Sequence, residues 1–478
     1  MISLVGKSSI ASRRTVARAS AALALAGLLA GCGSTLKDGL AASASVALGP
    51  SSSVTHSCAQ TALDTLGGVV RRVYHEGVES ERTAAAISLL ESSAALREAV
   101  ETDDAAAARV AARALLASGH LSNLQVVRGT RTLVAVGGPA LAPLKGTLLG
   151  ASGEPIANYT LSVWSDSAFA IEANGLTEGD VALRMHGRIV GGSLALGDAR
   201  LAEAGTLTRD HVLYQYASFP AESYPSGSLR VYLLRSVRST NALCGHTSED
   251  TVVNALRRVA NVIYDDEVGP VTQPQVRRVQ HDRPLLEAVA RREPEATRLA
   301  IDKLLNQHIV RLRVSVGGQL LADVGGPFVL APVKAALKLG GHKIGGIVLS
   351  IQDDEGYLRL TRRLAGLDVL MYDEQADPQL VKNSLGPEPG TVPAEGSYTY
   401  RGKDFRVFTI HAEAFPSGPL LIRVLVPIPY PTPAELAAEL AHAGASDSRL
   451  ARRASRRSWK EAANFSTPSR SSVSVTSP

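Results

Sequence analysis

This chain has little to build with beyond aliphatic carbon and small polar groups. Aromatic residues make up 4% of it, and 478 residues contain only three cysteines and three methionines. So few cysteines exclude a scaffold built on disulfides. No run of 18 consecutive apolar residues occurs, so no segment reads as a membrane-spanning helix. There is no collagen-like glycine period, and an apolar fraction of 45% excludes a wholly disordered chain. Charge of one sign is also scarce, with 50 Lys and Arg against 45 Asp and Glu. Most of the excess lies at the ends. Lys7, Arg13, Arg14 and Arg18 put +4 into the first 31 residues, and the stretch from Asp447 onward carries +5. From a total of +5, the stretch between is left at −4. A slightly acidic body excludes a nucleic-acid surface as the main function. The signatures H-E-x-x-H, C-x-x-C, G-x-S-x-G and the phosphate-cradling P-loop are all missing, and the chain reads as a non-enzyme without a cofactor.

What is present starts with an address. The basic residues up to Arg18 precede Ala19 to Gly31, a short Ala/Leu-rich run of signal-peptide type. It ends Leu29-Ala30-Gly31-Cys32, which resembles the lipobox of bacterial lipoproteins. Small residues suit a peptidase cleft, and the Cys32 thiol is the nucleophile for thioether attachment of a diacylglyceryl group. The resemblance implies a signal peptide over 1–31 and a lipidated Cys32 that opens the mature chain. Acyl chains such as palmitate, at ~0.8 kcal/mol per buried methylene, would hold the protein on the outer face of the cell membrane. Ser12-Arg13-Arg14-Thr15-Val16 resembles a twin-arginine export signal; Sec and twin-arginine export both remain open. Residues 32–55, small and polar, read as a tether.

The body repeats itself. Leu96-Arg97-Glu98-Ala99-Val100 recurs as Leu285-Leu286-Glu287-Ala288-Val289, and Val136-Gly137-Gly138-Pro139 as Val324-Gly325-Gly326-Pro327. Leu141-Ala142-Pro143-Leu144-Lys145 recurs as Leu330-Ala331-Pro332-Val333-Lys334, and Tyr224-Pro225-Ser226-Gly227 as Phe415-Pro416-Ser417-Gly418. The offsets stay between 188 and 191, in order. This is a duplication, with one domain at 56–238 and a second at 244–430. In each copy, helical periodicity (Leu66, Val69, Val70, Val73; Leu256, Val259, Val262, Ile263) leads through a second helix at Ala105–Leu116 or Glu295–Leu305. The period then falls to two. Val310, Leu312, Val314 and Val316 alternate with Arg311, Arg313 and Ser315, and Gly317-Gly318 turns the chain into a hairpin. Later strands are expected at Ile347–Ile351, Asp368–Tyr372, Phe405–Ile410 and Leu420–Val426. Long helices leading into an antiparallel sheet of about five strands predict an α+β fold.

This order resembles the extracytoplasmic Cache domains, the PAS-like sensor modules of bacterial receptors. The likeness rests on the helix entering a strand–Gly-Gly–strand hairpin, the Gly-Gly-Pro after it, Ile344-Gly345-Gly346-Ile347, and the closing Pro-Ser-Gly strand. It implies a sheet packed on a long N-terminal helix, with a small-molecule pocket on the other face. The transmembrane helices and output domains usual in that family have no counterpart here, and its ligand-reading motifs find no matching positions.

Candidate site residues therefore come from the chain itself. Arg311 and Arg313 share one strand face, and copy one has Asn123 and Gln125 there. Two guanidinium forks on a pocket wall suit a carboxylate or phosphate; a solvated strand face is the alternative. His308, matched by His120, sits at the helix-to-strand junction, as a ligand contact or as a cap on helical carbonyls. Asp353-Asp354-Glu355-Gly356 reads as a solvated acidic turn, not a cation loop. With Cys32 lipidated, Cys58 and Cys244 remain as an even pair in an oxidising compartment. They open the two copies at nearly equivalent positions, and a disulfide between them is expected. The tail at 431–478 reads as disordered, basic and Ser/Arg-rich after a short helix at Ala434–His442, and suits anionic headgroups or wall polymers. The functional expectation is a lipid-anchored module that binds a small, anionic ligand and presents it to a membrane protein partner. The alternative is a non-catalytic structural or interaction lipoprotein.

Overall fold

A computed structural model describes residues 57–118, 121–194, 196, 201–225, 227–269, 272–305, 309–326, 329–374, 378–416 and 418–441. Cys32, the tether, His120, His308 and the tail from 442 lie outside the described residues.

Each copy begins on a capped long helix. Ser57 accepts from the Gln60 amide and starts the helix Cys58–Glu79. Thr247 and Asp250 bond each other's amides reciprocally at 3.1 and 3.0 Å and start the helix Ser248–Val268. Three shorter helices follow, ending with Ala105–Ala117 in copy one and Pro294–Leu305 in copy two. The hairpin Asn123–Arg128/Arg131–Gly137 and its counterpart Arg311–Val316/Gln319–Gly325 then open the sheets.

The α+β class and the duplication stand, with a finer division than one sheet of about five strands. Each copy splits its strands between two antiparallel sheets. In copy two the four-stranded sheet runs Gln319–Gly325, Arg311–Val316, His342–Ser350, Val333–Leu339. The seven-stranded sheet centres on the long pair Lys403–Phe415 and Gly418–Ile428, flanked by Val329–Leu330 on one side and Asp368–Asp373 on the other. Gly396–Tyr400 also pairs with Lys403–Phe415. Copy one repeats both orders.

The two copies share one core in addition to those each keeps for itself. One core holds Leu66, Val70 and Phe169 of copy one together with Leu256, Val259 and Tyr357 of copy two. The two long helices, the two seven-stranded sheets and the helices Asp166–Thr177 and Asp354–Ala365 all contribute to it. Each four-stranded sheet keeps a satellite core under its own short helices. Equivalent tyrosines tie helix to sheet in both halves: the Tyr74 hydroxyl accepts from the Glu222 amide at 2.9 Å, and that of Tyr264 from Glu413 at 2.8 Å.

Two expectations need correction. Asp353 does not sit in a solvated turn. It caps the helix Asp354–Ala365, accepting from the Gly356 amide at 2.6 Å, while Lys382 lies 3.5 Å from Asp354 and 2.9 Å from Glu355. Nor does the body stop at 431. Residues 433–441 form a helix with Leu436 and Leu440 buried, and Tyr430 donates to the Ala365 carbonyl at 2.9 Å. No described helix is long and apolar enough to cross a membrane.

Candidate functional site

Cys58 and Cys244 form a disulfide, with Cα atoms 5.6 Å apart. It joins the first residue of copy one's long helix to the loop that leads into copy two's. Beside it lies a cleft of about 360 Å³. Cys244, Gly245 and His246 form one wall, Asp250, Val253, Asn254 and Arg257 of the long helix another, and Glu395, Gly396, Arg406 and Val407 of the sheet the third.

Two ion pairs span it from helix to sheet. Arg406 donates to Asp250 at 3.1 Å and approaches Glu249 at 3.6 Å; Arg257 donates to Glu395 at 3.1 Å. Hydrogen bonds from Thr247, followed by the charges of Arg406 and His246, hold the Asp250 carboxyl below its usual range despite partial desolvation. Arg257 stacks its guanidinium 5.1 Å from the Phe408 ring centre, and its buried Nε has no protein acceptor.

Copy one gives this cleft its meaning. Sheet register matches Glu395, Gly396 and Arg406 to Ala204, Gly205 and Gln215, and the helix alignment matches Asp250 and Arg257 to Gln60 and Gly67. Gln215 donates to Gln60 at 3.1 Å, the same helix-to-sheet link made with amides. Four positions that are neutral in copy one are charged in copy two.

The strand-face arginines have a different setting. Both forks of Arg311 and Arg313 close on one carboxylate, Asp323, through four hydrogen bonds of 2.6–2.9 Å. Arg311 also donates to the Gly326 carbonyl at 2.6 Å, and both cations lie over the Phe415 ring. The anion expected between them is thus supplied by the chain. Burial alone would raise the Asp323 carboxyl; the bonds and charges of the two arginines outweigh it and hold it low. In copy one Asn123 donates to Gly138 at 2.9 Å, the same structural link without charge.

The outer faces of both seven-stranded sheets carry filled apolar clusters, Tyr372, Val392, Phe405 and Leu425 in copy two and Leu196, Tyr216, Tyr232 and Leu234 in copy one. Tyr357 is fully buried and donates to the Ala260 carbonyl, and Trp164 donates to Val73 at 3.1 Å, so these aromatics serve packing. Among the described residues no cluster of His, Cys, Asp and Glu is arranged to hold a metal ion.

No protein-family model matches the chain, and no curated protein matches it. Among solved structures, it is similar to the periplasmic domain of LuxQ from Vibrio cholerae, at 10% identity over 36% of this chain and 98% of that one, with a TM-score of 0.24. The ligand-binding domain of the Pseudomonas fluorescens chemoreceptor CtaA, solved with L-isoleucine, is 12% identical over 37% of this chain and 95% of that one, with a TM-score of 0.23. An extracellular ligand binding receptor from Desulfohalobium retbaense is 12% identical over 46% of this chain and 47% of that one, with a TM-score of 0.21.

Proposed function

We propose that this chain is an extracytoplasmic, lipid-anchored binding protein that takes a small ionic ligand in copy two and presents it to a membrane partner. Copy one serves as its structural half. The observation that carries the reading is the contrast between Gln60, Gly67, Ala204 and Gln215 of copy one and Asp250, Arg257, Glu395 and Arg406 of copy two, which stand around a cleft beside the bridge. Two guanidinium groups suit a carboxylate or phosphate, and the facing carboxylates suit an amine on the same molecule. Anchoring through Cys32 rests on the lipobox resemblance, and the partner follows from it: no described helix can cross a membrane, and a lipid-anchored body needs another molecule to pass a signal inward. No catalytic step enters this reading.

A second reading, a structural or interaction lipoprotein, is favoured by the filled outer sheet faces and by the internal pairing of Arg311 and Arg313 with Asp323. A thermal-shift screen of organic acids, amino acids and phosphorylated metabolites separates the two. A ligand at 100 times its dissociation constant adds ~2.7 kcal/mol. A compound that raises the melting temperature supports ligand capture, and a flat response across all three classes supports the second reading.

A further inference from the structure

The strand Val333–Leu339 is the edge of copy two's four-stranded sheet; among the described residues only His342–Ser350 pairs with it. An edge strand presents unpaired N–H and C=O groups to any chain that can reach them. The Ala336 carbonyl faces away from the sheet and accepts from Gln280 Nε2 at 3.0 Å, a single side-chain bond that an incoming strand would have to displace. The register slips between Leu337 and Lys338, but the extra residue, Ile344, lies on the neighbouring strand. Backbone direction therefore still alternates along Val333–Leu339, and Lys334 and Lys338 turn their groups the same way as Ala336. Their side chains share the sheet face opposite the core, on which Val333, Ala335 and Leu337 pack.

A groove of about 820 Å³ runs along this edge, between Gln280, His281, Leu286 and Glu287 of the short helices and Lys338 and Leu339 of the strand. The corresponding edge of copy one is stapled. Arg97 crosses it, donating to the Leu149 carbonyl at 3.1 Å and the Glu91 carbonyl at 2.7 Å, and Tyr159 bonds the Glu91 side chain at 3.0 Å. In copy two these three positions are Leu286, Gln280 and Ile347. Leu286 and Ile347 are buried in the satellite core, and one bond, from Gln280 to the Ala336 carbonyl, stands in place of the copy-one staple. Charge at the opened edge is lopsided. Lys334 and Lys338 lie along it and Lys343 faces Lys338 across the sheet, whereas Arg283 and Glu287 neutralise each other at 2.7 Å and Glu413 stands 3.7 Å from Lys334.

We propose that this edge docks an extended acidic segment of a partner protein, which adds to the sheet as a fifth strand. Backbone bonds to the outward groups of Lys334, Ala336 and Lys338 would supply affinity. The two lysines, four residues or roughly 13 Å apart along the strand, would select a segment with carboxylates at matching spacing. The proposal is independent of the ligand cleft.

The test uses the whole protein and a fluorescent nine-residue peptide of alternating Glu and Thr, with its Lys/Thr counterpart as control, read by anisotropy. The acidic peptide should bind and the basic one should not. Ala336→Pro removes an outward amide and should weaken binding at least tenfold, as should Lys334→Glu with Lys338→Glu; Lys145→Glu, at the equivalent site in copy one, should leave it unchanged. Should Ala336→Pro misfold, an acidic peptide N-methylated at every second residue tests the same backbone bonds and should not bind. Failure of the acidic peptide to bind, or binding that survives N-methylation or the double lysine change, would overturn the proposal. Polyphosphate competing as well as the unmethylated peptide, with N-methylation harmless, would show an unspecific anion surface and likewise overturn it.

Discussion

Arg406 donates to Asp250 at 3.1 Å across the cleft of copy two, at the place where Gln215 donates to Gln60 at 3.1 Å in copy one. The duplication has kept the link and changed its chemistry. An amide pair joining helix to sheet offers a ligand only neutral donors and acceptors, whereas arginine and aspartate each offer a full charge with which a competing ion can make charge-assisted bonds. The same substitution of ionic for neutral links appears at Arg311, Arg313 and Asp323, where copy one has Asn123, Gln125 and Ala135. There the network is self-contained. At the cleft the charges line open space.

Lipidation of Cys32 is expected to govern membrane association. Cys32→Ser should move the protein from the membrane fraction to the soluble one, or leave it unprocessed. Unchanged detergent-dependent partitioning would remove the anchor from the account.

The Cys58–Cys244 bridge closes a 186-residue loop. Cys244→Ser should cost about 2–5 kcal/mol of stability, measured by denaturant unfolding, because the unfolded chain regains the freedom the bridge denies it. Thiol labelling of the non-reduced, denatured wild-type mature protein should find no free thiol at these two positions.

His75 lies on copy one's long helix, one turn after Arg71 and Arg72. Burial first, and then those two charges, lower its pKa to about 4. Unfolded, it titrates near its ordinary 6.5, so between these values the unfolded state binds more protons. The contribution of the neutral imidazole is fully present above about pH 6.5 and is lost as the pH falls toward about 4. His75→Gln should flatten this part of the stability profile; an unchanged slope between pH 6.5 and 4 would mean that other groups set it.

Asp323 neutralises Arg311 and Arg313 together. Asp323→Asn should cost roughly 1–3 kcal/mol, since the forks lose their charged acceptor. It should also expose the pair to solution anions, so that sulfate raises the melting temperature of the variant more than that of the wild type. Equal sulfate responses would show that the two arginines have no capacity to hold an external anion.

Much of this architecture was legible because its signals are local. Gly317-Gly318 fixes a hairpin turn, alternation at Val310–Val316 fixes a strand, and the offsets of 188–191 carry both into the other copy. Cysteine parity pointed to the bridge. The pairing of Asp323 was lost to one residue. Counting back from the two-glycine turn sets Ala322 opposite Arg313, but a bulge between Val314 and Ser315 slides Asp323 into that place. The shared core was hidden because the apolar stripe of a helix such as Cys58–Glu79 records that it is covered, not by which copy. Copy-against-copy comparison at Gln60/Asp250 and Gln215/Arg406 held the signal for the cleft. It needed the fold to show that residues 156 apart in sequence, Asp250 and Arg406, meet across one cleft.

The most direct test of ligand capture runs the thermal-shift screen in parallel on the wild type and on a variant returned toward copy one: Asp250→Gln, Arg257→Ala, Glu395→Ala and Arg406→Gln. A compound bearing a carboxylate or phosphate should raise the melting temperature of the wild type and leave the folded variant unmoved. A shift of the same size in both proteins, or no shift in the wild type from any compound at millimolar concentration, would contradict a ligand site in this cleft.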